Sequence, residues 1–271
     1  YREVYDMIVD ESKNQVRLLS PFGSLYTYDL EGNFIKQNQL PEKSNYQAME
    51  QIGDNIMTWT IPVSSDEPCI TIVNADNGKE VSSLWKGPRI LNSLSGGSFY
   101  TYDGKTYFAP AFHNNEILEI TEDSLKLAYK WDFGKDNIDI SKYTFTLTDD
   151  NQAEEGRLMT DYLGNGTIPY LLGSQYQNSK YFYVCFSYGW FPNQTIKHLF
   201  YLKSDGKSFF FKDTQENISI RPQAFEEECI VQFASYDDLE AYKSILSPAE
   251  YQKIISRNEE DNPCLIKLYF K

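Results

Sequence analysis

The stretch YDMIVDESKNQVRLLSPFGSLYTYDLEGNFIKQNQL (residues 5–40) decides the fold. It parses into YDMIVD, QVRLLS, SLYTYDL and FIKQNQL, four short runs, with the turn EGN before the last. Tyr, Val and Ile favour the pleated, half-buried surface of a sheet, and Gly and Asn tolerate the positive φ of tight hairpins. The pattern returns three times. Residues 46–85 give YQAMEQI, NIMTWTI, CITIVNA and KEVSSLW around the turn DNG. Residues 98–133 give SFYTYDG, KTYFAPAF, EILEIT and LKLAYKWDF around EDS, and 171–213 give LLGSQYQ, KYFYVCFSY, IKHLFYLK and KSFFFKD around SDG.

The turns keep a period. Gly32 and Gly78 lie 46 positions apart, Ser124 follows after another 46, and Gly206 comes 82 later, one repeat plus an insertion of about 36. That insertion covers 134–168, is polar and acidic (DNID, TDDNQAEE), and reads as a long loop. A fifth unit over 220–271 has ECIVQFA (228–234) as its second strand and CLIKLYFK (264–271) as its third, and no fourth. Between them lies the helical part of the chain. Residues 237–246 are helix-like. A second helix over 248–257 has Ser247 as its cap, Pro248 in its first position and Glu250 completing a capping box.

Four-stranded units of this length without intervening helices predict an all-β chain, a β-propeller of four-stranded antiparallel blades forming a single domain over 1–271. One blade cannot bury both faces of its sheet, and stacking blades around an axis does so. A β-sandwich is the alternative, but it would not repeat at 46 with the turn always between the third and fourth strands. Five blades are visible, the last incomplete, and six are expected in the full protein. Closed propellers usually take a missing outer strand from the other terminus. Here the chain opens with an innermost strand, so an N-terminal portion with a closing strand and a further blade is expected to be missing.

Composition narrows the partners. Hydrophobic residues make up 41%, enough for a real core, and the 21 Tyr and 17 Phe lean towards sheet. The net charge of −14 repels phosphate backbones and anionic lipid surfaces, so nucleic acid is not an expected partner. No run of about 18 apolar residues is present to span a membrane. The chain shows no signal peptide, which leaves a cytoplasmic protein or one whose N-terminus has been removed. Cys69, Cys185, Cys229 and Cys264 form no CxxC pair and sit in apolar strand patterns, where a free thiol behaves as a small hydrophobe. Cys229 and Cys264 begin neighbouring antiparallel strands and so fall at opposite ends, against a disulfide.

The stretches YDMIVDE, VRLL and LYTYDLEGNFI, the segment YDGKTYFAPAFHNNEILEI, KWDFG and the closing EEDNPCLIKLYFK resemble the six-bladed β-propeller lipoproteins of gut anaerobes. The resemblance spans nearly the whole chain. It implies a periplasmic or cell-surface protein whose signal peptide and lipid-anchoring cysteine lie outside this chain, the only link to a membrane. It implies no established activity and no catalytic residues.

Chemistry is sparse. His198 lies mid-strand and reads as a strand-surface residue. His113, in FHNNE between two strands, is a site candidate beside Asn114, or a loop side chain satisfying backbone groups. Neither GxSxG nor HExxH occurs, and GPR (87–89) and GGS (96–98) are turns without a following helix. NGT, NQT and NIS match the glycosylation sequon, a match that arises often by chance. Asp149, Asp150, Glu154 and Glu155 lack EF-hand spacing and read as a solvated loop, so no metal or other cofactor is expected. The loops between second and third strands carry aromatics: Pro21 and Phe22 in blade one, Trp59 nearby in blade two, and Tyr188, Trp190 and Phe191 in blade four. Aromatics on a rigid platform stack on sugars or peptides, or else close the core at its rim. The predicted binding surface is Trp59, Arg89, His113, Asn114, Tyr188, Trp190 and Phe191. The expected function is a monomeric, extracytoplasmic, non-enzymatic binding or scaffold propeller for a glycan, peptide or protein. The alternative is a polysaccharide hydrolase or lyase, which would need two convergent carboxylates.

Overall fold

Hairpin by hairpin, the short runs pair with their neighbours in sequence. The computed structural model describes residues 3–42, 45–61, 67–84, 98–109, 115–121, 123–137, 169–189, 194–258 and 260–270. Blade one is β1 (Asp6–Asp10), β2 (Gln15–Leu19), β3 (Ser24–Asp29) and β4 (Phe34–Gln39). Blade two is β5 (Tyr46–Ile52), β6 (Asn55–Thr60), β7 (Ile70–Asn74) and β8 (Glu80–Ser83), and blade three is β9 (Ser98–Tyr102), β10 (Lys105–Ala109), β11 (Glu116–Ile120) and β12 (Leu125–Lys130). Blade four is β13 (Pro169–Gln177), β14 (Tyr181–Tyr188), β15 (Thr195–Leu202) and β16 (Lys207–Phe211). Blade five has three strands, β17 (Ala224–Phe225), β18 (Cys229–Ala234) and β19 (Cys264–Tyr269). Strand order within every sheet follows sequence order. Five consecutive antiparallel sheets of this kind are the blades of a β-propeller. Most of the insertion (138–168) lies outside the described residues.

A repeat finer than the 46-residue spacing emerges. In each of the first three blades the pairing of third with fourth strand slips once, at Thr27/Tyr28, Ile72/Val73 and Ile117/Leu118. Such bulges sharpen the local twist of an outer strand.

The chain divides into two compact units, Tyr1–Gly173 with Tyr188–Gln194, and Ser174–Ser187 with Thr195–Lys271. In the first unit the blades pack through two apolar layers. Leu19, Leu25, Leu40, Tyr46, Met49 and Ile56 fill the space between blades one and two. Met57, Trp59, Ile70, Phe108, Leu118 and Ile120 do the same between blades two and three. The outer turn of blade two docks on β4. Asn38 Nδ2 and Lys36 Nζ donate to the Asp76 carbonyl at 3.1 and 2.8 Å. Gly78 completes that turn at φ +73°, and a Cβ there would stand 3.0 Å from the Gln39 carbonyl oxygen.

A charged pair is buried at the same junction. Arg17, 0% exposed on β2, donates through Nη1 to Asp10 Oδ2 at 2.9 Å and to Gln51 Oε1 of β5 at 3.0 Å. Asp10 also accepts from Ser12 Oγ at 2.6 Å and from the Lys13 amide at 3.2 Å. These bonds, Ser12 first and then Arg17, hold its carboxyl below the usual carboxylate range.

In the second unit, Ile218, Ala234, Leu239, Tyr242, Cys264 and Ile266 form the core of blade five. The β18–β19 connection carries helix α1 (Pro248–Ile255), in which Ser247 Oγ accepts from the Glu250 amide and Glu250 Oε2 accepts from the Ser247 amide. The first expected helix is a 3-10 helix, Tyr236–Ser244, opened by a second capping box of Ser235 and Asp238. Its two buried anchors, Leu239 and Tyr242, stand three residues apart, the 3-10 period. All four cysteines are free and buried. Cys229 pairs with Tyr269 and Cys264 with Ala234, at opposite ends of the β18–β19 ladder.

Candidate functional site

The second unit concentrates aromatic rings because β14 and β15 alternate Tyr, His and Phe on one parity. Tyr183 and Phe200 lie 4.7 Å apart between centroids, and Phe200 stacks on Phe211 at 5.7 Å with planes 8° apart. Phe225 and Phe270 extend the cluster, 5.3 Å from one another, and Tyr181 meets Phe270 at 5.0 Å. Such pairs contribute roughly 0.5–1.5 kcal/mol each beyond their buried area.

His198 corrects the sequence reading. It is 2% exposed, on the same parity of β15 as the buried Phe200, rather than on the strand surface. Inward polarity is tolerated because the Tyr183 hydroxyl lies 3.0 Å from Nδ1. Burial holds the imidazole below its ordinary pKa, partly opposed by the charge of Asp213.

Above this cluster a groove of about 960 Å³ opens between β16 and β19. Phe209 and Phe211 form one wall, Leu268, Tyr269 and Phe270 the other, and Ile245 closes one side. Asp213, Glu216 and Lys267 stand among the lining residues. Lys267 is engaged by Glu226 at 3.1 Å. An apolar concavity with a few polar groups is the usual form of a binding site.

The predicted surface is only partly described. Trp59 lies within β6, 9% exposed, its ring 6.1 Å from Phe108 in the core. Its indole Nε1–H is buried without an acceptor among the described residues. Tyr188 ends β14, half-buried, its phenol raised by burial and by Asp136. Arg89, His113, Asn114, Trp190 and Phe191 lie outside the described residues. Among the described residues no three His, Cys, Asp or Glu side chains converge as for a metal ion. Two carboxylates of inner strands, Asp6 and Glu50, are both raised, chiefly by burial. Both are tied to main-chain amides, Asp6 to Met49 at 2.7 Å and Glu50 to Gln51 at 3.0 Å. The groove is what the sequence reading missed. Its signal was present in KSFFFKD and KYFYVCF, which carry more aromatics than one inward face needs.

Blade-like sheets in series, a buried aromatic layer and an apolar groove define a β-propeller with a surface suited to binding. The chain belongs to the family described as Domain of unknown function (DUF4934), which matches residues 1–269. No curated protein matches it. It is similar to the solved structure of U3-55K, with 12% identity and a TM-score of 0.47 over 86% of this chain and 59% of that one. It is similar to BamB from Moraxella catarrhalis, at 11% and 0.46 over 78% and 54%. The β-propeller domain of Cps50 (Swd1) from Myceliophteria thermophila is likewise similar, at 8% and 0.45 over 98% and 71%. The chain thus spans 59% and 54% of the first two structures.

Proposed function

We propose that this protein is a non-enzymatic binding or scaffold propeller acting outside the cytoplasm, and that its ligand is a peptide or protein segment. The groove of the second unit carries the reading. Its walls are Phe209, Phe211, Leu268, Tyr269 and Phe270, and its polar side chains gather in the segment Asp213–Glu216 and at Ser244 and Lys267. Sugars present hydroxyls that ask for many oriented hydrogen bonds, whereas apolar peptide side chains are satisfied by such walls. The resemblance to anchored propeller lipoproteins supports the extracytoplasmic location. Finding the protein in the cytosolic fraction of its cells would remove that part.

The test is a peptide array and a glycan array probed with the protein and with Phe209→Ser. Phe209 is 49% exposed, so the substitution leaves the fold intact. Peptide binding that falls at least about tenfold with Phe209→Ser is the expected result. Binding confined to glycans, or peptide binding indifferent to Phe209→Ser, overturns the reading.

A further inference from the structure

We propose that Asn77–Gly78, in the hairpin between β7 and β8, is a deamidation site that the docking of this turn on β4 holds shut.

An Asn–Gly pair is open to this chemistry because glycine leaves its amide nitrogen unscreened. The Gly78 nitrogen gives up its proton and attacks Cγ of Asn77. A C–N bond forms, the Cγ–Nδ2 bond breaks and ammonia leaves. Water then opens the five-membered succinimide at either carbonyl, giving aspartate or isoaspartate. Water is the only co-reactant, and Asn77 is exposed to it.

The docked turn opposes each of these movements. The Gly78 amide donates to the Asn74 carbonyl at 2.8 Å, so the nucleophile keeps its proton. Asn77 Oδ1 accepts from the Lys79 amide at 2.9 Å, and the Asn77 amide donates to Asn74 Oδ1 at 3.1 Å, which fixes the carboxamide and the main chain before it. Gly78 is buried, with the Gln39 carbonyl oxygen 3.0 Å and Asn38 Cβ 3.1 Å from where a side chain would begin. Closing the ring needs the peptide plane between 77 and 78 to turn, and close packing against β4 leaves it no room.

Few bonds keep the turn there. Asn38 Nδ2 and Lys36 Nζ donate to the Asp76 carbonyl from half-buried side chains, and Lys36 also meets the Asp76 carboxylate at 3.3 Å. Breaking them is a local opening, more frequent than global unfolding. The product does not dock again. Isoaspartate carries the main chain through the former side chain, one carbon longer, so Gly78 loses its register with Asn74 and its fit against Gln39. The site therefore turns a transient undocking of blade two into a permanent one.

The test is to age the protein beside the synthetic peptide VNADNGKE (residues 73–80) in mildly alkaline buffer and follow conversion of Asn77 by mass spectrometry of proteolytic fragments. Expected is conversion about tenfold or more slower in the protein, with the Gly78 amide protected from hydrogen exchange. Lys36→Ala and Asn38→Ala should each speed conversion of Asn77 several-fold and leave unchanged that of Asn165, in the chain's other Asn–Gly pair. Lys36→Arg, which keeps a donor, should stay slow. Exchange at Gly78 measures the same opening on unaltered protein, whatever the variants do to folding. Conversion as fast in the protein as in the peptide, an unprotected Gly78 amide, or conversion of Asn77 indifferent to both alanine substitutions overturns the proposal. Equal acceleration at Asn77 and Asn165 overturns it too, since general loosening rather than this turn would then set the rate.

Discussion

Gly78→Ala and Gly32→Ala form a matched pair that measures how tightly blade two is docked on blade one. Both glycines close the hairpin between third and fourth strands, at φ +73° and +87°. Any L-residue there carries a left-handed backbone cost of about 1 kcal/mol. Around Gly32 a new Cβ meets nothing within 4 Å, so that cost is the whole effect. Around Gly78 the Cβ meets the Gln39 carbonyl oxygen at 3.0 Å and Asn38 Cβ at 3.1 Å. Both belong to β4, whose pairing with β3 keeps them from yielding. Forcing such an overpacked contact adds roughly 1–3 kcal/mol, making about 2–4 kcal/mol in all. At about 2–4 °C per kcal/mol for a chain of this size, Gly32→Ala lowers Tm by about 2–4 °C and Gly78→Ala by about 4–16 °C. Urea unfolding followed by tryptophan fluorescence gives the same order. Asn sharpens the comparison, since it tolerates the left-handed region. Gly32→Asn restores most of the loss and Gly78→Asn does not. Equal losses in the two alanine variants would refute the close approach of this turn to β4.

Three further outcomes are expected. Arg17→Ala loses about 3–5 kcal/mol, because Gln51 and Asp10 lose a buried partner, while Arg17→Met recovers part of it by refilling the space; urea midpoints decide, and equal losses would refute the packing role. Burial depresses the His198 pKa in the folded state, so stability is full above about pH 6.5 and falls as the unfolded chain takes up its proton on acidification. Tm measured from pH 7.5 to 5 should show this slope, and His198→Phe should flatten it. Finally, the four buried thiols, with Cys185 pushed up to about 11 by burial, should react with a disulfide reagent only after denaturation; fast labelling of the native protein would contradict their placement.

Strand positions were legible because each run is rich in aromatic and β-branched residues and each of the first four blades carries a turn with its own chemistry before its last strand. Ser247, Pro248 and Glu250 announced α1 for the same reason: capping is local. Long-range features were not legible. His198 reads as a surface residue because strands alternate faces and a polar side chain fits the outer one, whereas its parity with Phe200 and the hydroxyl of Tyr183 put it inside. Arg17 carries no local mark of burial; its partners Asp10 and Gln51 lie 7 and 34 positions away. Trp59 was grouped with the loop aromatics although it lies inside NIMTWT, a strand whose residues 56–60 are all buried by tertiary packing. The groove escaped because it is formed by two strands from different blades.

The long connection between β18 and β19 has a thermodynamic consequence. Neighbouring strands elsewhere are joined by a few residues, but Ala234 and Cys264 are paired across an excursion through two helical segments. Closing that excursion rather than a four-residue turn costs about 2 kcal/mol of chain entropy. The two capping boxes, the Tyr251 hydroxyl donating to Glu240 at 2.6 Å and Gln232 donating to the Tyr242 hydroxyl at 2.6 Å pre-order it. Pairing of β18 with β19 therefore carries a closure cost that the shorter hairpins do not, and the local bonds of the two helical segments offset part of it.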